Sequence, residues 1–404
     1  MERIRIDKQD IVLCLSLVLI LGFQTNKYSF EKNASTLLIL VLFFVYFLVG
    51  NSILDLKNSK KYIIWYSVFT VYSCISSLWS IYNNGSYIYA LVKDTYVPLV
   101  AIIVLLGVHV KKGVFRIINC LIVAELIAVL RAFINTPILK LISTMDTRLI
   151  ASGLGVNYNN YSTQLTLVAL IATIASFYKK RPYRAIFVIL FLLIAATGSR
   201  KAIIIVLAGV VVLYCVSGSK NTAEIIKRVI FILSATAIVL LALYKIPVLY
   251  DLIGNKLDVA IQSILNKNVT ADRSTDLSLY ARSVLRESAF EQFKQHPIGG
   301  LGYNGFSFTN RWGYYAHNNY LELLASLGLF GFCSYYWLYV YEIANCLKHL
   351  KNNKISLYTL IFILMLIGME YAQVTYMRPF AIIPLVVILM CSKEMIALGD
   401  RNVQ

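Results

Sequence analysis

SLYARSVLRESAFEQFKQHPIGGLGYNGFSFTNRWGYYAHNNYLELLASLGLFGF, residues 278–332, passes from a polar, amphipathic segment through a glycine-rich turn into an apolar helix. Leu279, Leu285, Ala289, Phe290 and Phe293 recur at helical spacing, which predicts a helix over 278–295 with an apolar side. Arg282 and Arg286, four residues apart, share one face of it. Pro297 restricts His296 to extended backbone and closes the helix. Ile298-Gly299-Gly300-Leu301-Gly302 then allows close backbone approach. His317-Asn318-Asn319-Tyr320-Leu321-Glu322 opens an apolar run in which Gly328 and Gly331 permit tight helix packing.

The rest of the chain is written for lipid. Of its 404 residues 59% are hydrophobic and only 14% charged, with mean hydropathy +0.70, where a soluble domain is about one quarter charged. A spanning helix needs about 20 apolar residues. Runs near that length lie at 11–23, 34–50, 62–80, 86–108, 114–134, 162–178, 184–197, 200–217, 226–246, 318–343, 355–373 and 377–392. The expected fold is therefore an all-α polytopic membrane protein of about 12 transmembrane helices. The runs 184–197 and 200–217 are read as two spans, because one span would hold Arg200 and Lys201 near mid-membrane at about 2.5–3.5 kcal/mol each. The first run follows Arg3, Arg5 and Lys8 as a signal peptide would, but no small-x-small cleavage site follows it, so a retained helix is expected.

The net charge of +18 would suit a nucleic-acid binder, but its distribution points to the membrane surface. Arg3, Arg5, Lys8, Lys57, Lys60, Lys61, Lys111, Lys112, Arg116, the cluster Lys179–Arg184, Lys348, Lys351, Lys354 and Lys393 fall in loops of one side. The short loops of the other side carry far fewer cations, among them Lys27, Lys32, Arg200 and Arg378. The positive-inside rule then puts both termini in the cytoplasm and residues 247–316 outside, as one large extracytoplasmic loop. A single structural domain is expected: a bundle of nine helices over 1–246, a catalytic loop over 247–317 and three helices over 318–404. The seven cysteines lie in or beside apolar runs without a CxxC pair and read as packing residues. Asp272 and Asp276 stand apart from any metal-ligand cluster, and neither metal nor cofactor is expected. Lys93-Asp94 sits within an apolar run, where ionisable residues are costly and point to a site. Glu322 and Glu370 near helix ends could orient a cation, and Tyr303, Tyr314 and Tyr315 could stack on sugar rings.

The order arginine, helix, His296-Pro297-Ile298-Gly299-Gly300-Leu301-Gly302, Phe306, His317-Asn318-Asn319-Tyr320-Leu321, Gly328 and Gly331 resembles the O-antigen ligase/polymerase superfamily of bacterial surface-polysaccharide enzymes. Thr197-Gly198-Ser199-Arg200 resembles that family's Ser-Arg turn, with the departure that Lys201 replaces the small residue that often follows. The resemblance implies a GT-C-like glycosyltransferase in the bacterial inner or cell membrane, acting outside it on an undecaprenyl-pyrophosphate-linked oligosaccharide. It implies polymerisation of repeat units into O-antigen or capsular polysaccharide, or ligation of glycan to a lipid or protein acceptor; a flippase is the rival from another class. A flippase and a chain-length regulator are the partners it brings, with no nucleic acid. The departing diphosphate needs fixed cations, and the guanidinium fork supplies them without metal. Arg282 is assigned that catalytic role, with Arg200, Arg286 and Arg378 as pyrophosphate ligands. His317 is assigned as the base for the acceptor hydroxyl, supported by Asn318 and Glu322. With no covalent nucleophile required, the reaction would invert the anomeric carbon.

Overall fold

The computed structural model describes residues 6–23, 29–50, 53–136, 157–197, 199–217, 277–350 and 352–398, with isolated helical positions between 224 and 245. The regular elements among these residues are all helical: α1 (Lys8–Gly22), α2 (Ser29–Gly50), α3 (Lys60–Ile75), α4 (Gly85–Ala90), α5 (Val97–His109), α6 (Val114–Ile134), α7 (Tyr158–Ser176), α8 (Lys180–Ala196), α9 (Arg200–Val216), α10 (Leu277–Gln295), α11 (Asn319–His349), α12 (Lys354–Glu370) and α13 (Pro379–Leu398), with three- and four-residue turns between some of them. A π-helical turn, Leu91–Tyr96, joins α4 to α5.

Among the described residues five helices are long and apolar enough to cross a membrane: Phe30–Gly50, Gly85–Lys112, Val114–Ile134, Asn319–His349 and Pro379–Leu398. The other helices on expected runs are shorter or less apolar. Most of the expected run 226–246 and residues 247–276 of the expected large loop, with Asp272 and Asp276, lie outside the described residues. The expected break between two helices at 197–199 is present. Thr197 Oγ1 donates to the Ile194 carbonyl at 2.7 Å and accepts from Ser199 N–H at 3.3 Å, which ends α8 and leaves α9 to begin at Arg200.

The apolar runs make a bundle with an inside and a lipid-facing outside. α7 is buried from Tyr161 to Ser176 and α13 from Pro379 to Ser392, so both are enclosed on all sides, as a helix apolar all round must be. α2 instead exposes Phe30, Leu37, Phe44 and Leu48, a surface suited to hydrocarbon rather than water. α1 buries Leu13, Leu17, Ile20 and Leu21 and packs against α6 and α2, as an integral member of the bundle. No disulfide forms among the described residues, which include all seven cysteines.

α11 is interrupted where the candidate site begins. Gly328 leaves the helical conformation, with φ 63°, and the 297–301 segment bonds into the break. Leu301 N–H donates to the Ala325 carbonyl at 3.0 Å and Leu329 N–H to the Pro297 carbonyl at 2.9 Å. A Cβ on Gly328 would stand 2.2 Å from the Ile298 carbonyl oxygen, and one on Gly300 2.5 Å from Ser326 backbone. The two glycines therefore serve one contact: the turn after α10 is fastened by main-chain bonds to α11.

Candidate active site

α10 lies along the first turns of α11. Leu285 and Ala289 are buried with Phe306, Ala316 and Ala325, which fixes the axis of α10 and leaves Arg282 and Arg286, one turn apart, beside the entry to α11. Phe290, expected on the apolar side, is 47% exposed, because the burying face runs through Leu285 and Ala289 instead. α10 ends at Gln295, as His296-Pro297 requires.

His317 stands in the link between Ala316 and α11. Asn318 caps α11, its Oδ1 accepting from Leu321 N–H at 3.0 Å. Glu322, fully buried, reaches back: Oε2 accepts from Ala316 N–H at 2.7 Å and Oε1 from Ser326 Oγ at 3.2 Å. Asn318 and Glu322 thus hold the backbone on both sides of His317. His317 has φ 54°, and Asn304 with φ 58° is the other non-glycine residue in the left-handed region among the described residues. Such backbone is costly and tends to be kept where function needs it. The Tyr315 ring packs 4.3 Å from the His317 ring.

Cations from three other elements converge here. Arg286 Nη1 donates to the Tyr371 hydroxyl at 3.2 Å and its Nε to the Arg282 carbonyl at 3.2 Å. Lys201 Nζ donates to the Ala372 carbonyl at 3.2 Å and to Gln373 Oε1, while Gln373 Nε2 donates to Asn160 Oδ1. Arg378 opens α13 from the same 371–378 link. That link is pinned by Asn319, whose Oδ1 accepts from Thr375 and Tyr376 N–H at 2.8 and 3.2 Å, and by buried Glu370, which accepts from Tyr336, Tyr339 and Thr375 hydroxyls. None of Arg282, Arg286, Lys201 and Arg378 meets a carboxylate among the described residues.

The consequence shows in His317. Burial, and then the charges of Arg282, Lys201 and Arg286, hold its pKa down to about 4. The imidazole is neutral at physiological pH and able to accept a proton. Burial raises the Tyr315 hydroxyl pKa, and the charges of Arg378 and Arg282 offset part of that rise, so Tyr315 lies within reach of both.

The sequence-predicted residues divide. Arg282, Arg286 and His317 come together, with Asn318 and Glu322 behind them. Arg378 lines a neighbouring cavity. Arg200 is exposed, and Lys201 occupies the inner position instead. Successive helical residues are about 100° apart, so only one of the two can face the site; the tetrapeptide motif does not say which. Tyr371, Gln373 and Asn160 carry no motif and are placed by tertiary contact alone. Arg311 stacks its guanidinium 4.3 Å from the Trp312 ring centre and is exposed, as is His296. For metal binding, Asp10, His109 and Cys120 place ligand atoms within 4.8 Å of one another, but at the opposite end of the bundle, where Asp10 is already paired with Arg116 and His109.

Residues 185–336 match the O-Antigen ligase family model. The match covers α8 to the first half of α11 and includes Lys201, Arg282, Arg286, His317 and Glu322. It supports the resemblance to the O-antigen ligase/polymerase superfamily over that stretch, and the apolar helices fit a membrane protein. No curated protein matches the chain.

Proposed function

We propose that the protein is a metal-independent, inverting glycosyltransferase that polymerises undecaprenyl-pyrophosphate-linked repeat units into O-antigen or capsular polysaccharide on the outer side of the membrane, with both termini in the cytoplasm. The observation that carries this reading is the convergence of Arg282, Arg286 and Lys201 on a neutral histidine with no carboxylate paired to them among the described residues. Partly buried cations without counterions favour an anionic ligand, and a lipid diphosphate brings two phosphates to match them. The O-Antigen ligase match supplies the substrate class.

In this mechanism the diphosphate rests on the three cations with the anomeric carbon towards His317. The acceptor hydroxyl gives its proton to the imidazole as its oxygen bonds to the anomeric carbon from the opposite face. The bond from that carbon to the diphosphate breaks, and its electron pair leaves with the phosphate, where the cations balance it. The bound diphosphate also offsets the charges that depress the His317 pKa, so donor binding strengthens the base. Glu322 and Asn318 hold the His317 backbone and take no part in proton transfer.

The test supplies protein in nanodiscs with a synthetic undecaprenyl-pyrophosphate repeat unit, with and without chelator. A product ladder in both conditions, lost by roughly 10²–10⁴-fold in His317→Ala, is expected. Product only when a second acceptor is added would assign a ligase instead, and loss of turnover with chelator would overturn the metal-free mechanism.

A further inference from the structure

A cavity of about 390 Å3 opens next to His317, within the size range of small-ligand sites. Tyr315 is common to both: its ring packs against His317 and it forms part of the cavity wall. The remaining walls come from Tyr87 and Asp94 on the α4–α5 segment, Lys32 of α2, Tyr303 and Arg378.

The walls are built in advance. Tyr303 N–H donates to Ser76 Oγ at 2.9 Å and its carbonyl accepts from Asn84 Nδ2 at 3.2 Å. Asn304, held at positive φ, donates from Nδ2 to Ser307 Oγ at 3.0 Å, and both residues face the cavity. The π-helical turn adds a wide bend at Lys93-Asp94, a distortion often found at functional sites. Tyrosine faces with amide, hydroxyl and carboxylate groups between them suit a pyranose ring, whose C–H faces are apolar and whose hydroxyls need partners.

The charges narrow the ligand further. Asp94, the cavity's carboxylate among the described residues, is paired with Lys93 at 3.5 Å, and Lys93 also donates to Asn33 at 2.6 Å. Among the described residues Arg378 has no ion pair, and its Nε is buried without a hydrogen-bond partner. The charges that hold the His317 pKa down are those of Arg282, Lys201 and Arg286, with Arg378 not among them. Arg378 lines this cavity, whose walls include none of the other three.

We propose that this cavity is the subsite for an acidic sugar residue of the glycan, whose carboxylate pairs with Arg378 while its ring packs on Tyr87, Tyr303 and Tyr315. The inference rests on the glycosyltransferase reading for the substrate class and adds the chemical preference of one sugar position. It moves Arg378 from the diphosphate to the sugar.

Saturation-transfer NMR on the protein in nanodiscs tests it with three probes: methyl glucuronide, methyl glucoside and inorganic pyrophosphate, the last read by competition against undecaprenyl diphosphate. Glucuronide should bind roughly tenfold or more tightly than glucoside, the worth of one charge-assisted bond. That advantage should vanish in Arg378→Gln and return in part in Arg378→Lys. Equal binding of the two glycosides, no binding of glucuronide, or glucuronide binding indifferent to Arg378→Gln overturns the proposal. Pyrophosphate binding lost in Arg378→Gln as fully as in Arg282→Gln would reassign the cavity to phosphate. Pyrophosphate binding untouched by Arg282→Gln would sink the diphosphate site and leave the sugar subsite standing.

Discussion

The two ends of the bundle treat positive charge in opposite ways. At the end formed by the start of α1 and the ends of α2 and α5, cations are matched within the chain: Arg116 with Asp10 at 2.9 Å, Lys112 with Asp7, Lys111 with Asp55 and Lys61 with Glu342. Even the histidine there, His109, is paired, its Nε2 lying 2.8 Å from Asp10 Oδ1 and its Nδ1 2.8 Å from the Tyr46 hydroxyl. At the other end Arg131 and Lys93 have carboxylate partners, but among the described residues Arg282, Arg286, Lys201 and Arg378 have none. Two buried acids at this end are occupied with backbone and hydroxyl groups: Glu322 holds Ala316 and Ser326, and Glu370 holds two tyrosines and Thr375. At one end folding pairs Arg116, Lys112, Lys111 and Lys61 and leaves Lys57, Lys60, Lys348, Lys354 and Lys393 exposed at the surface. The other keeps a positive charge for something that arrives later, and a site that leaves partly buried cations unpaired gives up stability that the ligand restores.

Arg282→Gln is expected to break the contrast most sharply among the cation substitutions. Removing one fixed charge from the leaving group should lower kcat by roughly 10²–10³-fold. It should also change the pH profile. With its pKa at about 4, free His317 stays neutral across the physiological range, so wild-type kcat/KM, which reports the free enzyme, should not fall through this group until pH approaches 4. Without Arg282 the imidazole pKa moves up towards the ordinary value of about 6.5, and the acidic limb moves up with it. The sign for stability agrees. Between about 6.5 and 4 the unfolded chain binds a proton that folded His317 refuses, so the fold loses stability as pH falls through that window. A pH–rate profile of both proteins checks the shift; coincident acidic limbs would separate His317 from Arg282.

A smaller effect distinguishes two neighbours. Lys201→Met removes a cation held on Ala372 and Gln373 beside His317, and should lower kcat by roughly tenfold, the scale of one charge in a shared cluster. Arg200→Gln, exposed on the same first turn of α9, should change activity by no more than about twofold. The reverse order of effects would put the arginine of the tetrapeptide back in the site.

These particulars show what was readable before any coordinates. Period and hydropathy placed the described helices, including the break between α8 and α9, although five of these rather than twelve are long and apolar enough to cross a membrane. The glycines at 300 and 328 were legible as close-approach positions, though not that they meet each other through the 297–301 segment. Arg282, Arg286 and His317 were legible because their helix and turn signals are local. Lys201 was not, since the rotation of α9 about its axis is set by packing against α7 and α12. Nor was the work of the 371–378 link, whose hold on Arg286, Lys201 and Arg378 comes from contacts with α11 and α7 that leave no pattern in the chain.

The most direct test of a cation cluster kept for a diphosphate is the thermal transition of the detergent-solubilised protein with and without undecaprenyl diphosphate. In wild type the lipid diphosphate should raise Tm, because it binds the folded state alone, and in the double variant Arg282→Gln, Arg286→Gln the apo protein should be at least as stable while the rise disappears. An equal rise in both proteins, or none in wild type, would contradict the account.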